Sequence, residues 1–151
     1  MKQEIFMAEA ILEAKKALPS GDVPVGAVIV RGGEIIGRGY NMREKNASAT
    51  AHAEVLAIED ACKTLGSPKL DGAVMYVTLE PCPMCAGAIA QSRLDKVVFG
   101  AYDEKAGAVG SVFNLYYDFK FPHIPKFCGG VMETECAALL DGFFENLRRN
   151  K

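Results

Sequence analysis

Apolar residues at the start of the chain recur with the spacing of a helix, among acidic and basic residues, and the pattern stops at residues 19–21, Pro-Ser-Gly. Such a period, ended by proline and glycine, is typical of a helix with one apolar face. The first segment is therefore predicted to be an amphipathic helix. Its apolar positions are Ile5, Phe6, Ile11, Leu12 and Leu18.

Four segments rich in Val and Ile predict strands. Residues 23–30 and 34–40 are joined by residues 31–33, Arg-Gly-Gly, and glycine permits the positive φ angles of a hairpin turn. Residues 73–79 form a longer apolar run, and residues 96–101 form a shorter one. We predict a strand pair near the N terminus and two further strands, the first of them buried.

Three further helices are predicted. Thr50 is a candidate N-cap for a helix over residues 51–65, and Gly66 is its stop. Residues 83–93 begin with a proline, which is tolerated in a first helical turn. From Glu133 onward, apolar residues fall at i, i+3, i+4 and i+7, which predicts an amphipathic helix. They are Leu140, Phe143, Phe144 and Leu147.

Strands alternate with helices between residues 50 and 101, and this order favours a layered α/β fold in which helices cover a sheet. The stretch over residues 102–130 is irregular and rich in aromatic side chains, and its pattern assigns no element. Because no repeat or linker interrupts the chain, residues 1–151 are predicted to form one domain.

The charge balance narrows the possible partners. The 151 residues include 17 Lys and Arg against 19 Asp and Glu, which gives a net charge of −2. This excludes a protein that holds polyanions by bulk charge, so a nucleic-acid partner would need a local basic patch. Acidic residues stand where a signal peptide would be apolar, and no apolar run is long enough to span a membrane. We expect a cytoplasmic protein without membrane contact.

Two short motifs carry the candidate chemistry. Residues 52–54, His-Ala-Glu, begin one predicted helix, and residues 81–85, Pro-Cys-Pro-Met-Cys, begin another. Cysteines at i and i+3 in a first helical turn share a face, where the helix dipole favours thiolates. Side chains of a first turn lean toward the N terminus, so His52 and Glu54 can both reach a centre beyond the helix end.

One histidine and two cysteines make three protein ligands, and a tetrahedral zinc ion held in this way keeps its fourth position for catalysis. Zinc lowers the pKa of bound water toward neutrality, and a nearby carboxylate can then move protons. Glu54 is the candidate for that role. His-x-Glu followed by Pro-Cys-x-x-Cys is the pattern of zinc-dependent nucleobase deaminases.

Two other interpretations of the cysteines are open. Cys82 and Cys85 alone would suit a redox pair, although such a pair does not require the His-x-Glu motif. A structural zinc site needs a fourth ligand, for which the chain offers four candidates. They are Cys62, Cys128, Cys136 and His123. The cysteines of this set that fall in helical patterns are expected to be small buried apolar residues.

Longer stretches around the motifs resemble the bacterial tRNA-specific adenosine deaminases of the cytidine deaminase superfamily. The stretches are VPVGAV from Val23, TAHAE from Thr50, YVTLEPCPMCAGAI from Tyr76, RLDKVVFGAYDEKAGAVGS from Arg93 and ECAALLDGFF from Glu135. The resemblance implies a three-layer α-β-α sandwich with a central mixed sheet, one zinc ion per subunit and a homodimer. The implied reaction is hydrolytic deamination of adenosine to inosine at the wobble position of a tRNA anticodon stem-loop, with release of ammonia.

The resemblance also assigns the metal and the proton chemistry. His52, Cys82 and Cys85 would bind zinc, and attack would occur at C6 of the purine. Glu54 would pass protons to the ring and to the departing ammonia. These assignments agree with the ligand chemistry inferred from the two motifs alone.

Five residues would hold the substrate by the same resemblance. Asn41 would hydrogen-bond the purine, and the backbone N–H of Ala53 would face the leaving group. Asp103 and Lys105 would lie near the anticodon, as would Phe144 on the last helix. Two structural alternatives are open, because an asparagine after a strand often closes a turn and Phe144 could pack in the core.

The sequence departs from the family at Pro122, where relatives carry an asparagine before the histidine that here is His123. Proline has no N–H and no side-chain amide, so it cannot supply the side-chain hydrogen bonds expected from that asparagine. Tyr116 and Phe121 in the same stretch could stack on anticodon bases or pack a dimer. Phosphate contacts are predicted for the basic residues at the C terminus. They are Arg148, Arg149 and Lys151.

Two rival functions are open at this point. The same zinc and glutamate chemistry would serve a deaminase that acts on a free base or nucleoside, such as guanine. A rival of another class is a binding module that is stabilised by zinc and has no activity. Glu54 beside a three-ligand metal site favours the enzyme over that module.

Overall fold

The computed structural model describes residues 2–150, and within them every predicted helix and strand is confirmed. The stretch that had no assignment contributes α4 and β5. None of the helices in this range combines the length and the apolar character that crossing a bilayer requires. In chain order the elements are α1 (Lys2–Lys15), β1 (Gly26–Arg31), β2 (Glu34–Tyr40), α2 (Ala53–Leu65), β3 (Ala73–Leu79), α3 (Pro83–Gln91), β4 (Lys96–Ala101), α4 (Leu115–Asp118), β5 (Lys126–Cys128) and α5 (Glu133–Arg149).

The strands form one mixed sheet in the order β2-β1-β3-β4-β5. β1 is antiparallel to β2 and β3, whereas β3, β4 and β5 are parallel. Successive strand residues point to opposite faces, so β1 contributes to two cores. Ala27 and Ile29 pack with α2 and α3, while Val28 and Val30 pack with α1 and α5. This confirms the predicted three-layer α-β-α sandwich.

Strand β2 lies at one edge of the sheet and is held from both faces. Gly39 lies directly beneath α2, so close that a Cβ at this position would collide with the helix backbone. On the opposite face the guanidinium of Arg38 reaches α1, 2.9 Å from Glu9 Oε1 and 3.2 Å from Glu13 Oε2. The backbone N–H of Arg38 donates to Asp60 Oδ2 of α2 at 2.9 Å. These contacts hold α2 on one face of β2 and α1 on the other.

Helix α2 begins two residues later than predicted, and the expected Thr50 cap is wrong. The N-cap is His52, with φ −77° and ψ 152°, and its side chain makes no capping hydrogen bond. Thr50 lies in the preceding turn, where its carbonyl accepts from the His52 N–H at 2.8 Å. The ring of His52 points toward Cys82 and Cys85 instead of back toward the helix. The N-cap position is therefore occupied by a candidate metal ligand and not by a residue with a capping hydroxyl.

Tyr116 is a core residue, so the stacking hypothesis is wrong for this side chain. It is 2% exposed, and its hydroxyl donates to the carbonyl of Ala86 in α3 at 2.8 Å. Its ring packs near those of Phe121 and Phe127, with centroids 6.1 and 6.0 Å away. Tyr116 therefore holds α4 against α3.

Candidate functional site

The N termini of α2 and α3 meet at the candidate site. His52 is the N-cap of α2 and Cys82 is the N-cap of α3, so each precedes its helix in an extended conformation. Pro83 takes the first position of α3, where its missing N–H costs no helical hydrogen bond. Cys85 follows within the first turn. The fold therefore brings the three predicted ligands together from two separate segments.

The donor atoms have the spacing that a tetrahedral metal ion requires. Nδ1 of His52 lies 3.7 Å from Sγ of Cys82 and 3.5 Å from Sγ of Cys85. All three donor atoms lie within 4.8 Å of one another. Zn–N bonds of about 2.0–2.1 Å and Zn–S bonds of about 2.3 Å at a tetrahedral angle separate N from S by about 3.6 Å. The group fits one zinc ion bound through Nδ1.

Across residues 2–150, this is the one group of His, Cys, Asp and Glu side chains arranged to hold a metal ion. The candidates for a fourth ligand lie elsewhere. Cys136 is buried and Cys62 packs against the core. Sγ of Cys128 accepts from the side chain of Gln3 at 3.8 Å, and Nε2 of His123 lies 2.8 Å from the carbonyl oxygen of Leu94. Three protein ligands are typical of catalytic zinc sites, whereas structural sites have four. The donor set therefore favours catalysis over a structural role.

The pKa values of the two thiols shift in opposite directions. A hydrogen bond from the Cys85 thiol lowers the pKa of Cys82 to about 4, although burial opposes this shift. The same hydrogen bond, together with burial, raises the pKa of Cys85 well above its ordinary value. The hydrogen bond to Cys82 also raises the pKa of His52. Cys82 is therefore a thiolate at neutral pH, the form that binds metal.

Glu54 lies in the first turn of α2 and is buried, with 4% of its surface exposed. Burial raises the pKa of its carboxyl group to about 7, although a backbone hydrogen bond opposes the rise. A general acid or base is most effective when its pKa lies near the working pH. Glu54 is therefore suited to accept and return protons near neutrality.

A cavity of about 240 Å³ lies over the His/Cys/Cys group, and Asn41, Ala53 and Glu54 line it. Asn41 directly follows β2, with Nδ2 donating to the Val23 carbonyl and Oδ1 accepting from the Arg43 N–H, both at 3.1 Å. This is the turn role expected for an asparagine after a strand. An amide has two N–H donors and two acceptor positions, so one of each can still serve a ligand.

A second cavity, of about 590 Å³, adjoins the first, and Asp103 lines both. Lys105 and Phe144 line only the second cavity. Phe144 is 41% exposed and is not a core residue. Oδ1 of Asp103 accepts from the N–H groups of Lys105 and Ala106 at 3.0 and 3.1 Å, which closes a turn. These predicted substrate residues thus share one surface beside the His/Cys/Cys group.

Pro122 and His123 line a separate small pocket with Arg93, and neither lines the two cavities. The ring of His123 is bound to the carbonyl of Leu94. The departure from the family pattern at Pro122 therefore lies outside the walls of both cavities.

Sequence patterns did not single out two buried carboxylates, Asp22 and Glu80, which are 1% and 2% exposed. Asp22 accepts from the Ser20 hydroxyl and from two backbone N–H groups of the loop after Asn41. Burial opposes ionisation of Asp22, but these hydrogen bonds and the charge of Arg43 hold its pKa below the ordinary value. The sequence signal that could have identified Glu80 is its position, because it is an acidic residue directly after an apolar strand.

Comparison with known proteins decides the family. The profile of the cytidine and deoxycytidylate deaminase zinc-binding region matches residues 1–101. The chain is also 53% identical to the tRNA-specific adenosine deaminase of Bacillus subtilis strain 168, over 99% of this chain and 93% of that protein. The chain belongs to this deaminase family.

Two further relatives extend the likeness. The deaminase is 47% identical to the tRNA-specific adenosine deaminase of Aquifex aeolicus strain VF5, over 99% of each protein. A solved structure from work on A-to-I editing by tRNA:A34 deaminases at the wobble position matches with a TM-score of 0.84 and 40% identity. That match covers 90% of this deaminase and 99% of the solved chain. The two sequence matches therefore extend over residues that line the second cavity, whereas the family profile ends at residue 101.

Proposed function

We propose that this protein is a zinc-dependent deaminase that converts adenosine to inosine at the wobble position of a tRNA anticodon. The observation that carries the proposal is the meeting of a three-ligand His/Cys/Cys group and a buried carboxylate at one cavity. The identities with tRNA-specific adenosine deaminases over nearly the whole chain support this substrate over a free base.

Proton transfer is the task of Glu54. Zinc held by His52, Cys82 and Cys85 would supply the Lewis acidity that generates hydroxide near neutral pH. Glu54 takes the proton that water loses as it attacks C6 and delivers that proton to N1 of the purine. It then transfers a second proton, from the new hydroxyl to the amino group, which leaves as ammonia. Water and adenosine thus become inosine and ammonia, and Glu54 returns to its starting state.

The first cavity is suited to one base. Its volume of about 240 Å³ lies below the roughly 300–1,000 Å³ of pockets that enclose drug-sized ligands. We assign base recognition to the remaining donor and acceptor of Asn41. The N–H of Ala53, in the first turn of α2, has no helical partner and is assigned to the reacting edge of the base.

The second cavity would take the neighbouring nucleotides of the anticodon loop, with Lys105 near phosphate and Phe144 against a base. Arg148 lies one helical turn after Phe144, on the same side of α5, and extends this surface toward the RNA backbone. Lys151 of the same basic group lies outside the described residues. Deleting residues 148–151 should weaken stem-loop binding and flatten its dependence on salt. Unchanged affinity and salt slope would contradict these phosphate contacts.

The decisive assay is nucleoside analysis after incubation with an anticodon stem-loop that carries a wobble adenosine. Free adenosine, guanine and cytidine are tested in parallel. Glu54→Gln keeps the shape of the side chain and removes the base, so turnover should fall by at least about 100-fold while zinc content is unchanged. Glu59→Gln makes the same substitution at an exposed position of α2 and should retain full activity.

Each outcome assigns a function. Inosine formed only in the stem-loop establishes tRNA editing. Ammonia released only from a free base would keep the zinc chemistry and overturn the substrate. Equal activity of the wild type and Glu54→Gln would overturn the proton-transfer role.

We also propose that the enzyme is a cytoplasmic homodimer whose residues 1–151 fold as one domain. Tyr117, Phe119 and Ile124 are more than 45% exposed, and a second copy would cover such an apolar surface. Sedimentation equilibrium should give twice the chain mass, and thermal unfolding should show one transition. Cell fractionation should recover the activity with the tRNA-containing cytoplasm. A monomer at micromolar concentration would contradict the proposed assembly.

A further inference from the structure

The loop over residues 103–111, which follows β4, lies between the two cavities. Asp103 and Ala106 line both of them, and Lys105 lines the second. The loop has no regular strand or helix, so its backbone N–H groups need other acceptors. The conformation of this loop therefore contributes to the shape of both cavities.

Glu80 accepts hydrogen bonds from three backbone N–H groups and one hydroxyl of this loop. It directly follows β3, and its N–H donates to the carbonyl of Ala101 at 2.9 Å. Its Oε1 accepts from the N–H of Asp103 at 3.1 Å and from the hydroxyl of Ser111. Its Oε2 accepts from the N–H groups of Val109 and Ser111, both at 3.0 Å. The two ends of the loop are therefore joined through one side chain.

All the acceptor positions of the Glu80 carboxylate are occupied. A carboxylate has about four acceptor positions on its two oxygens, and Glu80 receives four donors. It is 2% exposed, so water cannot replace a lost partner without opening the loop. Gly107 lets the backbone approach, because a Cβ at that position would collide with the carboxylate. The loop is shaped around the carboxylate of Glu80.

We propose that Glu80 is a positioning residue that sets the conformation of the 103–111 loop and thereby the affinity for the nucleotides that flank the reacting adenosine. The proposal rests on the proposed tRNA substrate. Glu80 also lines the first cavity, but its two oxygens are held by the loop, so it acts through the loop, whereas Glu54 acts on the reacting atoms. Loss of Glu80 should therefore raise KM and leave kcat and zinc content nearly unchanged.

Glu80→Gln is the direct test. An amide has one oxygen and one NH₂ group, and the NH₂ group is tolerated best beside Ser111, whose hydroxyl can reverse and accept from it. The N–H of Asp103 then faces another donor and loses its partner. Loss of a hydrogen bond to a charged group predicts a rise in KM for the stem-loop of about 10-fold to 100-fold. The kcat value should change less than about threefold.

Three further measurements separate positioning from a general loss of structure. Hydrogen exchange of the Asp103 amide, followed by NMR, should accelerate at least about tenfold in Glu80→Gln, with little change in α1. Ser111→Ala keeps Glu80 and removes one donor, so it should raise KM in the same direction by a smaller factor. Glu59→Gln is the control for loss of a carboxylate charge and should leave KM unchanged.

A normal KM in a folded Glu80→Gln variant would overturn the proposal, as would a fall in kcat at constant KM. If Glu80→Gln does not fold, an unchanged KM in Ser111→Ala would overturn it. If the wild type forms no inosine in the stem-loop, the proposed function fails. Exchange at Asp103 then decides the role of Glu80 separately, because unaltered protection in the variant would overturn loop positioning without any substrate.

Discussion

Tyr116 and Tyr117 are adjacent residues of one type in opposite environments, and this allows a matched test of the core. Tyr116 is 2% exposed and Tyr117 is 78% exposed. Tyr116→Phe removes the hydroxyl that donates to Ala86 in α3, the helix that carries Cys85. Tyr117→Phe removes a hydroxyl that is exposed on the single chain and keeps the apolar ring, so it preserves the surface that the proposed second copy would cover. We expect only the first substitution to destabilise the protein.

The magnitude follows from the contact that is lost. A buried hydrogen bond contributes a net stability of about 0.5–1.5 kcal/mol, and the Ala86 carbonyl keeps its helical partner. Tyr116→Phe should therefore lower the free energy of unfolding by about 1 kcal/mol and the melting temperature by about 2–4 °C. Tyr116→Ala also leaves a cavity and should cost about 3–5 kcal/mol. Tyr117→Phe should stay within about 0.5 kcal/mol of the wild type.

Urea unfolding followed by circular dichroism measures these differences, provided that the zinc concentration is held constant. Stem-loop affinity of Tyr116→Phe should equal that of the wild type, because the buried ring does not reach RNA. Equal midpoints for Tyr116→Phe and the wild type would refute the reasoning. A loss in Tyr117→Phe as large as in Tyr116→Phe would do the same.

Three other predictions concern a buried acid, a close packing contact and the metal ligands. Asp22→Asn should cost about 1.5–3 kcal/mol at pH 7 in chemical denaturation, because an amide nitrogen cannot accept the hydrogen bonds of the carboxylate. The lowered pKa of Asp22 makes this stabilisation complete above the unfolded pKa of about 4 and removes it as pH falls through the folded pKa. The deficit of the variant should therefore shrink in acid, and a constant deficit down to pH 2 would contradict the assignment. Gly39→Ala should cost about 1–3 kcal/mol in the same assay, since the new Cβ meets the α2 backbone. Gly87→Ala, inside α3 with open space around it, is the control and should stabilise by up to about 1 kcal/mol, whereas equal effects at both glycines would remove the packing argument. A chelator should lower the melting temperature of the wild type in calorimetry, because zinc that binds only the native state stabilises it by about 2.7 kcal/mol at 100 times its Kd. Cys85→Ala should not respond to the chelator, and an equal response would show that the metal is bound elsewhere.

Local patterns sufficed for the elements whose apolar spacing is regular. The Val- and Ile-rich segments gave all of β1 to β4, and the zinc group followed from the His-x-Glu and Cys-x-x-Cys motifs. Side-chain chemistry within one turn of a helix end is local in sequence. A motif can therefore predict which ligands share a face without knowledge of the fold.

Residues whose partners are distant in sequence were not predictable. Thr50 looked like a cap because its chemistry suits one, yet the helix boundary is fixed by contacts of His52 with cysteines thirty or more positions away. Glu80 finds its donors 23 to 31 positions later, in a loop without any periodic pattern. The burial of Tyr116 likewise depends on α3 and β5 rather than on its own neighbours.

The contacts that cover the edge strand β2 have a consequence for solubility. An exposed edge strand presents unpaired N–H and C=O groups on which another chain can add a strand, which is a common route to aggregation. The N–H of Arg38 on β2 is already bound by Asp60, and the side chain of Arg38 lies across the same strand toward Glu9 and Glu13. At the other edge, β5 is only three residues long and offers a short template. Removing Asp60 would thus free one hydrogen-bond donor on the longer edge and promote association through the sheet during storage at high concentration.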